Sequence, residues 1–494
     1  MSECVVTTSA GRVQGAVKGA VRVFKGVPYA AAPVGARRFG LPEAAQSWDG
    51  VRPAIEPGPT APWLMRPFDE LDIRPLVGEG WRKGDEYLNA NIWAPDTDSS
   101  GLPVMVFIHG GAFVAGCNEA PVISGEGFAR SGVVCVTINY RLGVDGFMVI
   151  DGVPTNLGLR DQIFALQWVR ENARAFGGDP DNITVFGESA GAMSIASLVG
   201  SPFARGLFRR AIIQSGHGEM VRTIPVARRL TRRMAKLLKV RPDAGGFAKP
   251  SAEKALLALE KVQMPLPGID LREADGREPA YGLSRFLPVT GDDLLPEPTN
   301  EALRKGAGSD IDILIGANRE EMNLYFVPTG VKKKINGLLA RIFLGKSMKG
   351  AGRMLRAYGL GRRGVKAGQA LADAMHDLVF RLPVRRFAAA HRGRTWVYEF
   401  DWRSSAFNGE LGACHAMDVP FVFDTIDVCS GPKGFVGENP PQGLADRVHG
   451  LWVAFARGED LPWSQYDDAT RQVFSLEKGL AERDVEMPAE RLGA

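Results

Sequence analysis

A serine between two glycines is the first feature of this sequence that could do chemistry. Ser189 stands in VFGESAGAM (185–193), directly after a β-branched run and between Gly187 and Gly191. A strand that turns sharply into a helix needs small residues where backbone meets backbone, and such a turn strains and exposes its central side chain. The motif predicts a nucleophilic serine. The alternative is a Gly-rich turn between strand and helix in which the serine has no catalytic role.

A serine hydroxyl is a poor nucleophile unless a base takes its proton, and histidine is tuned for that task near neutral pH. His415, in GACHAMDVPFVF, lies in a small-residue loop downstream of the serine, and we predict it as the base. His109 lies in the glycine-rich stretch IHGGAF, which suits a loop that binds through its backbone. The other four are interpreted as surface or core histidines: His217, His376, His391 and His449.

The third member of such a site is a carboxylate that orients the histidine, and in sites built on a G-x-S-x-G elbow it falls between serine and histidine in chain order. The stretch ILIGANREEMN offers Glu320 and Glu321 at the exit of a late strand, and the pattern does not choose between them. HGGAFVAG (109–116) follows a buried strand with two glycines and an alanine, which would let backbone amides approach a substrate oxygen. A simple glycine turn is the alternative for this loop.

The elements around these residues alternate between strand and helix. Continuous apolar runs at 102–111 and 132–143 are typical of strands buried on both faces of a parallel sheet. Apolar residues at helical spacing follow in 156–178, and then a strand, a helix from Ala190 and the strand RAIIQSG (210–216). The order predicts an α/β fold with a large, mostly parallel central sheet flanked by helices.

One domain is expected over 1–494, with helical insertions at 221–310 and 322–372 that form a cap and pocket region over the carboxyl edge of the sheet. The net charge of +4 is too small for a nucleic-acid footprint, and no stretch is apolar enough for a transmembrane helix or a signal peptide. The five cysteines are widely spaced and odd in number, which argues against a disulfide framework or a metal site and favours the cytoplasm. No cofactor is expected.

The sequence resembles the type-B carboxylesterase family, the carboxylesterase–cholinesterase branch of the α/β-hydrolases, and in particular its bacterial members. The resemblance covers roughly residues 10 to 470 and rests on long stretches of sequence. These are FKGVPYAAAPVGARRF, NYRLGVDGF, NLGLRDQIFALQWVRENARAFGGDP, FGGDPDNITVFGESAG and HAMDVPFVF.

The resemblance implies a role for each site residue. Ser189 is the implied nucleophile, His415 the base and Glu321, the second of the acidic pair, the acid. Glu188 would be a buried carboxylate beside the nucleophile, and the oxyanion amides would be those of Gly111, Ala112 and Ala190.

This chain departs from the family's pattern at two positions. Met322 follows the acid where the family usually has glycine, and Tyr87 stands where a cysteine is usual. Without that cysteine the disulfide of secreted relatives is absent, which again favours the cytoplasm.

The sequence therefore predicts a serine hydrolase that cleaves carboxylic esters through an acyl-enzyme. Amide or aryl-carbamate hydrolysis by the same triad is the alternative, and a non-catalytic interaction protein of the same fold is a more remote one. Phe113, Tyr325 and Phe326 are predicted to line an apolar pocket for small to medium acyl or aryl groups, and ordinary core packing is the alternative for each. Cys414, beside His415, is interpreted as a packing residue because neighbours in an extended chain point to opposite sides.

The segment 322–372 contains no Asp or Glu but eleven Lys and Arg, between Lys332 and Lys366. Its apolar residues Leu338, Leu339, Ile342 and Phe343 recur at helical spacing. We expect a mobile helical cap whose apolar stripe faces the pocket entrance. The alternative is a solvated basic face whose apolar side packs on the sheet domain.

Overall fold

The polypeptide is organised around one thirteen-stranded mixed sheet. A computed structural model describes residues 2–263 and 268–493. The strands are β1 Ser2–Thr8, β2 Gly11–Lys18, β3 Val21–Pro28, β4 Val51–Pro53, β5 Asn89–Pro95, β6 Leu102–Ile108, β7 Val134–Ile138, β8 Gly178–Glu188, β9 Arg210–Gln214, β10 Arg222–Thr223, β11 Val289–Thr290, β12 Asp312–Asn318, β13 Thr395–Phe400, β14 Gln472–Ser475 and β15 Leu480–Arg483.

Helices connect the strands and cover the sheet. They are α1 Arg74–Val77, α2 Glu126–Arg130, α3 Gly143–Phe147, α4 Leu157–Asn172, α5 Ala190–Gly200, α6 Ile224–Leu238, α7 Ala244–Phe247, α8 Ala252–Gln263, α9 Thr299–Arg304, α10 Asn323–Phe326, α11 Val331–Lys334, α12 Gly337–Gly345, α13 Ala351–Ala357, α14 Ala367–His376, α15 Leu382–Ala390, α16 Val419–Val422, α17 Gln442–Arg457 and α18 Pro488–Arg491. A π-helical turn, Asp377–Arg381, joins α14 to α15. Within the described ranges no helix is long and apolar enough to cross a membrane.

The strand order is β1-β2-β3-β5-β7-β6-β8-β9-β12-β13-β14-β15, and β4 pairs with β2. The seven strands from β7 to β14 in this order run parallel. The pairs β1–β2, β2–β3, β3–β5, β5–β7 and β14–β15 are antiparallel, and β4 runs parallel to β2. The strands β10 and β11 form a separate two-stranded sheet. The mostly parallel sheet expected from the apolar runs is therefore present.

Strand β6 shows why this sheet is buried on both faces. Val104, Val106 and Ile108 belong to one apolar cluster, while Met105 and Phe107 belong to the cluster on the opposite face. Alternate side chains of a strand point to opposite faces, so a continuous apolar run supplies both cores at once.

The parallel register brings several strand ends to one edge. Ile108 of β6 pairs with Gly187 of β8, and Glu188 pairs with Gln214 of β9. Asn318 of β12 pairs with Phe400 of β13. The residues that follow β6, β8, β12 and β13 therefore meet at the carboxyl edge of the sheet, where open α/β sheets bind their ligands.

The two segments outside the central pattern differ in structure. Within 221–310, helices α6 to α9 flank an irregular stretch, and residues 268–298 form no helix and only β11. Four prolines in that stretch, Pro279, Pro288, Pro296 and Pro298, lack the amide that a helix interior requires. Within 322–372, the described helices are α10 to α13 and the start of α14.

Candidate active site

Ser189 stands at the sharp turn between β8 and α5. Its backbone has φ 55° and ψ −122°, a strained conformation for a residue with a side chain. The Ser189 amide donates a hydrogen bond to the carbonyl of Gln214, at 2.9 Å, which ties the turn to β9.

The two flanking glycines are required by the neighbouring backbone. A Cβ on Gly187 would lie 2.6 Å from the carbonyl oxygen of Ile108, and a Cβ on Gly191 would lie 1.9 Å from the same atom. Any larger residue would therefore collide with β6. The glycines let the strand and helix approach closely enough to form the turn that carries Ser189.

The side chains of Ser189, His415 and Glu321 form a continuous hydrogen-bonded line. Nε2 of His415 lies 2.7 Å from Oγ of Ser189, and Nδ1 of the same ring lies 2.6 Å from Oε2 of Glu321. Glu321 is fully buried, and His415 and Ser189 are also buried. The serine, base and acid predicted from the sequence and the resemblance thus lie together.

Glu321 is held by the end of its own strand. Its second oxygen, Oε1, accepts a hydrogen bond from the amide of Asn318 at 2.7 Å. The His415 amide donates to the Glu321 carbonyl at 3.1 Å, which joins the two loops. The acid and the base are therefore fixed relative to each other by both backbone and side chain.

Glu320 points away from the histidine. Its carboxylate pairs with Arg403 and accepts a hydrogen bond from the Ala413 amide at 3.1 Å. Its own amide donates to the Ala413 carbonyl at 2.9 Å. Glu320 thus fastens the loop that carries His415, and geometry separates the two glutamates that the sequence pattern left open.

The glycine-rich loop after β6 lies against the nucleophile. A Cβ on Gly110 would lie 3.1 Å from Cβ of Ser189. The next three residues all have positive φ, at 110° for Gly111, 55° for Ala112 and 64° for Phe113. Ser284 donates a hydrogen bond to the Ala112 carbonyl at 2.8 Å, and the Gly143 amide donates to the Phe113 carbonyl at 2.7 Å. The left-handed backbone of this loop is therefore stabilised by hydrogen bonds from residues outside the loop.

This conformation leaves amides available at the site. In the described part of the chain, the amides of Gly111 and Ala112 donate to no protein acceptor. Ala190 opens α5, and an amide in the first turn of a helix has no acceptor within that helix. Such amides are the donors that stabilise an oxyanion in acyl transfer.

Glu188 places a second carboxylate beside the histidine. Its Oε1 lies 3.1 Å from Nε2 of His415 and has no hydrogen-bond partner in the described structure. Burial raises the pKa of Glu188 to about 8. Burial alone would lower the pKa of His415, but the charges of Glu188 and Glu321 outweigh it and raise this pKa to about 9.

The remaining candidates for base and nucleophile are occupied or inert. Burial lowers the pKa of His109 to about 4, its Nδ1 contacts the Gly110 carbonyl at 2.7 Å, and its ring stacks on Tyr140. Burial raises the pKa of Cys414 well above its ordinary value, so its thiol stays protonated. His217 lies 2.7 Å from the Val379 carbonyl.

The three residues predicted to line the pocket have different positions. Tyr325 is half-buried, and its ring centroid lies 5.7 Å from that of His415. Phe113 packs against Phe147 at 4.7 Å, and Phe326 packs against Phe343 at 6.1 Å. Both phenylalanines are buried core residues. Of the three, Tyr325 is the one whose ring lies against the base.

Two residues beside the site were missed from the sequence. The ring of Phe380 lies 4.8 Å from that of His415, and it belongs to the π-helical turn between α14 and α15. Nδ1 of His376 accepts a hydrogen bond from the Met322 amide at 3.0 Å, directly after the acid. π-helical turns are often found at functional sites, so the turn that carries Phe380 is a structural indication of the site. It has no recognisable pattern in the sequence.

The family follows from comparison with known proteins. The model of the carboxylesterase family matches residues 2–491. The chain belongs to the carboxylesterase family. As a member it is a carboxylic-ester hydrolase with the α/β-hydrolase fold.

Relatives of this carboxylesterase cover almost its whole length. The para-nitrobenzyl esterase of Bacillus subtilis (strain 168) is 36% identical over 97% of this chain and 96% of its own. The phenmedipham hydrolase of Pseudarthrobacter oxydans is 33% identical over 98% of this chain and 97% of its own. A solved PNB esterase structure has a TM-score of 0.83 at 33% identity and covers 99% of both chains.

Across residues 2–263 and 268–493, no group of three His, Cys, Asp or Glu is placed to hold a metal ion.

Proposed function

We propose that this carboxylesterase cleaves esters by double displacement through an acyl-enzyme on Ser189. The observation that carries the proposal is the line of contacts from Ser189 Oγ to His415 Nε2, at 2.7 Å, and from His415 Nδ1 to Glu321, at 2.6 Å. Each contact is short enough for proton transfer or for orientation of the ring.

In the first half-reaction, Oγ of Ser189 attacks the ester carbonyl carbon while Nε2 of His415 takes the hydroxyl proton. The tetrahedral intermediate collapses, the bond to the alkoxy group breaks, and His415 returns the proton to the leaving oxygen. In the second, His415 takes a proton from water, the hydroxide attacks the acyl carbon, and the acid is released as Oγ recovers the proton. Glu321 holds the imidazole tautomer and stabilises the imidazolium throughout.

The amides of Gly111, Ala112 and Ala190 are proposed as the oxyanion hole. Their support is the left-handed backbone of the loop and the first turn of α5, which leave these donors without protein acceptors in the described chain. Donors of this kind contribute about 3–4 kcal/mol each to lowering the barrier. Ser284, which holds the Ala112 carbonyl, positions this loop.

Small to medium apolar or aryl esters are the proposed substrates. The rings of Tyr325 and Phe380 flank His415, so the reacting group meets aromatic surface on the base side of the site. The described contacts of the His415 side chain include Glu188 and Glu321 but no Lys or Arg that would pair with a second negative charge on the acyl group. Dicarboxylate monoesters should therefore be poor substrates.

Aryl-carbamate hydrolysis is a second candidate because a relative with 33% identity is named as a phenmedipham hydrolase. Carbamates and esters pass through the same tetrahedral geometry, so the proposed triad serves both. The leaving-group side of the site, not the triad, would decide between them.

A panel of p-nitrophenyl esters of graded acyl length, with matched anilides and aryl carbamates, tests the proposal. We expect the highest kcat/KM for short to medium acyl esters, and a Ser189→Ala variant that is folded and inactive on all three classes. Full activity in that variant would overturn the proposal. Faster carbamate than ester hydrolysis would make the second candidate the main one.

Three sequence-based interpretations stay predictions: the helical insertions as a cap, the absence of nucleic-acid partners and the cytoplasmic location.

A further inference from the structure

Helix α12 exposes large aliphatic side chains on one face. Leu338 is 67% exposed, and Leu339 and Ile342 are each 50% exposed. Among the described residues no other helix carries more than one exposed large apolar residue. Scattered apolar residues need no explanation, but a contiguous apolar patch marks an interaction surface. We call Leu338, Leu339 and Ile342 the α12 patch.

The α12 patch is not a frayed end of the fold. Ala340 and Leu344, on the other side of the helix, are buried. The side chain of Asn336 accepts a hydrogen bond from the Leu339 amide at 3.0 Å and caps the helix. Phe343 packs edge-on against Phe326, five residues after Glu321. The helix that carries the patch is therefore anchored to the fold through its buried side, and the patch side chains point to solvent.

The segment that contains the α12 patch is basic in sequence. The eleven Lys and Arg of 322–372 exceed the +4 charge of the whole chain, so the rest of the chain is net negative. Ten of the eleven are exposed. Of those ten, only Lys333 is in an ion pair in the part of the chain described, with Glu410 at 3.0 Å. Most of the positive charge of this segment is therefore exposed and outside ion pairs in the part of the chain described.

We propose that the α12 patch and its basic surroundings dock the protein reversibly on anionic phospholipid membranes. A partner must be both apolar and negatively charged, and a bilayer with anionic headgroups offers both in one plane. An amphipathic helix with Leu and Ile on one face and Lys or Arg beside it lies in that interface. Each basic residue near an anionic surface adds about 1 kcal/mol of attraction.

A second copy of this chain fits the patch less well. In a twofold pair its own α12 patch would face this one, which would bring two segments of eleven Lys and Arg and no Asp or Glu against each other. A membrane covers all three side chains at once.

The inference goes beyond the proposed function, because docking needs no turnover. Three side chains on a nine-residue helix give shallow, weak insertion, so binding depends on the charges as well. Docking would concentrate the enzyme where apolar esters partition.

Flotation of the full chain with lipid vesicles tests the proposal. We expect binding to mixed phosphatidylglycerol–phosphatidylcholine vesicles at low salt and at least about tenfold weaker binding to pure phosphatidylcholine. Near 1 M salt, where the Debye length is about 3 Å, binding to the anionic vesicles should fall similarly.

Two sets of variants distinguish the contribution of the α12 patch to vesicle binding from the contribution of the positive charge. Leu338→Ser, Leu339→Ser and Ile342→Ser together should weaken binding at least about tenfold, because the apolar area of three side chains is lost. The matched apolar control is Leu257→Ser with Leu480→Ser, at residues that are 55% and 47% exposed elsewhere.

The charge variant is Arg341→Gln with Lys346→Gln, and its control is Arg232→Gln with Lys236→Gln on α6, whose apolar side is buried. The charge variant should lose binding and the control should keep most of it. All variants should hydrolyse dissolved p-nitrophenyl acetate like the wild type, which verifies folding.

Three results would overturn the proposal. One is a wild-type chain that does not float with anionic vesicles. Another is equal binding by the patch variant and its apolar control. The third is a concentration-dependent dimer that the patch variant abolishes without any vesicle binding, which would assign the patch to self-association.

Discussion

Oε1 of Glu188 lies 3.1 Å from Nε2 of His415, the nitrogen that also contacts Ser189 Oγ at 2.7 Å. The proposed base therefore has a carboxylate on each of its ring nitrogens, Glu321 at Nδ1 and Glu188 at Nε2. Both charges stabilise the imidazolium that forms when the serine proton is transferred. They also hold a proton on the histidine of the free enzyme, which makes activity depend on pH.

Replacing Glu188 should move the acid limb of the pH profile. Only neutral His415 accepts the serine proton, so kcat/KM falls as pH drops through the pKa of His415, which is raised to about 9. Glu188→Gln removes one charge that raises this pKa, and the midpoint should move to lower pH by about one unit. The measurement is kcat/KM for p-nitrophenyl acetate against pH. An unmoved midpoint would show that Glu188 does not act on His415 through its charge.

The two neighbouring glutamates should differ greatly on substitution. Glu321→Gln leaves the shape but loses the carboxylate that orients His415, and kcat should fall by about 10³- to 10⁴-fold. Glu320→Gln keeps an acceptor for the Ala413 amide and loses only the ion pair with the exposed side chain of Arg403. Because exposed ion pairs contribute little, kcat should fall less than about tenfold. A larger loss for Glu320→Gln would reverse the assignment of the acid.

His376 should act as a positioning residue for the acid. Burial lowers its pKa well below the ordinary value, so Nδ1 stays free to accept from the Met322 amide. His376→Leu removes that acceptor and should lower kcat by up to about 10²-fold through misplacement of Glu321.

His376→Asn supplies an oxygen near the position of Nδ1 and should restore most of that kcat. Thermal unfolding of both variants serves as the control. Equal kcat for the Leu and Asn variants would limit His376 to a packing role.

Gly191 should tolerate no side chain, in contrast to an exposed helical glycine. Gly191→Ala would place its Cβ 1.9 Å from the Ile108 carbonyl, so the turn at Ser189 must distort. We expect loss of most activity and a lower Tm. Gly450, exposed within α17, has nothing within 4 Å of its Cβ position, and Gly450→Ala should stabilise the protein by about 1 kcal/mol with activity unchanged. An active, stable Gly191→Ala enzyme would refute the steric reason for this glycine.

The sequence predicted the features that are encoded locally. The apolar runs predicted the parallel strands because a strand buried on both faces must be apolar throughout, as β6 shows. The glycines around Ser189 predicted the turn because the space beside Ile108 admits nothing larger. His415 could be selected by chain order and by its small-residue loop.

Other features depend on tertiary packing and left no local signal. Glu320 and Glu321 both follow β12, and only the contact of that loop with the His415 loop separates them. His376 is the last residue of α14 and Phe380 lies in the π-turn that follows it, and each contacts the site across the fold. Phe113 and Phe326 were predicted for the pocket from proximity in sequence; their rings pack against Phe147 and Phe343, and their place in the pocket stays a prediction.

The most direct test of the account is to trap the nucleophile with a fluorophosphonate and locate the adduct by mass spectrometry. We predict one adduct, on the peptide that contains Ser189, with loss of esterase activity in proportion to labelling. Ser189→Ala should take up no label, while Cys414→Ala should be labelled at the wild-type rate. An adduct on any other residue, or an enzyme that hydrolyses esters while Ser189 stays unlabelled, would contradict the assignment of Ser189 as the nucleophile.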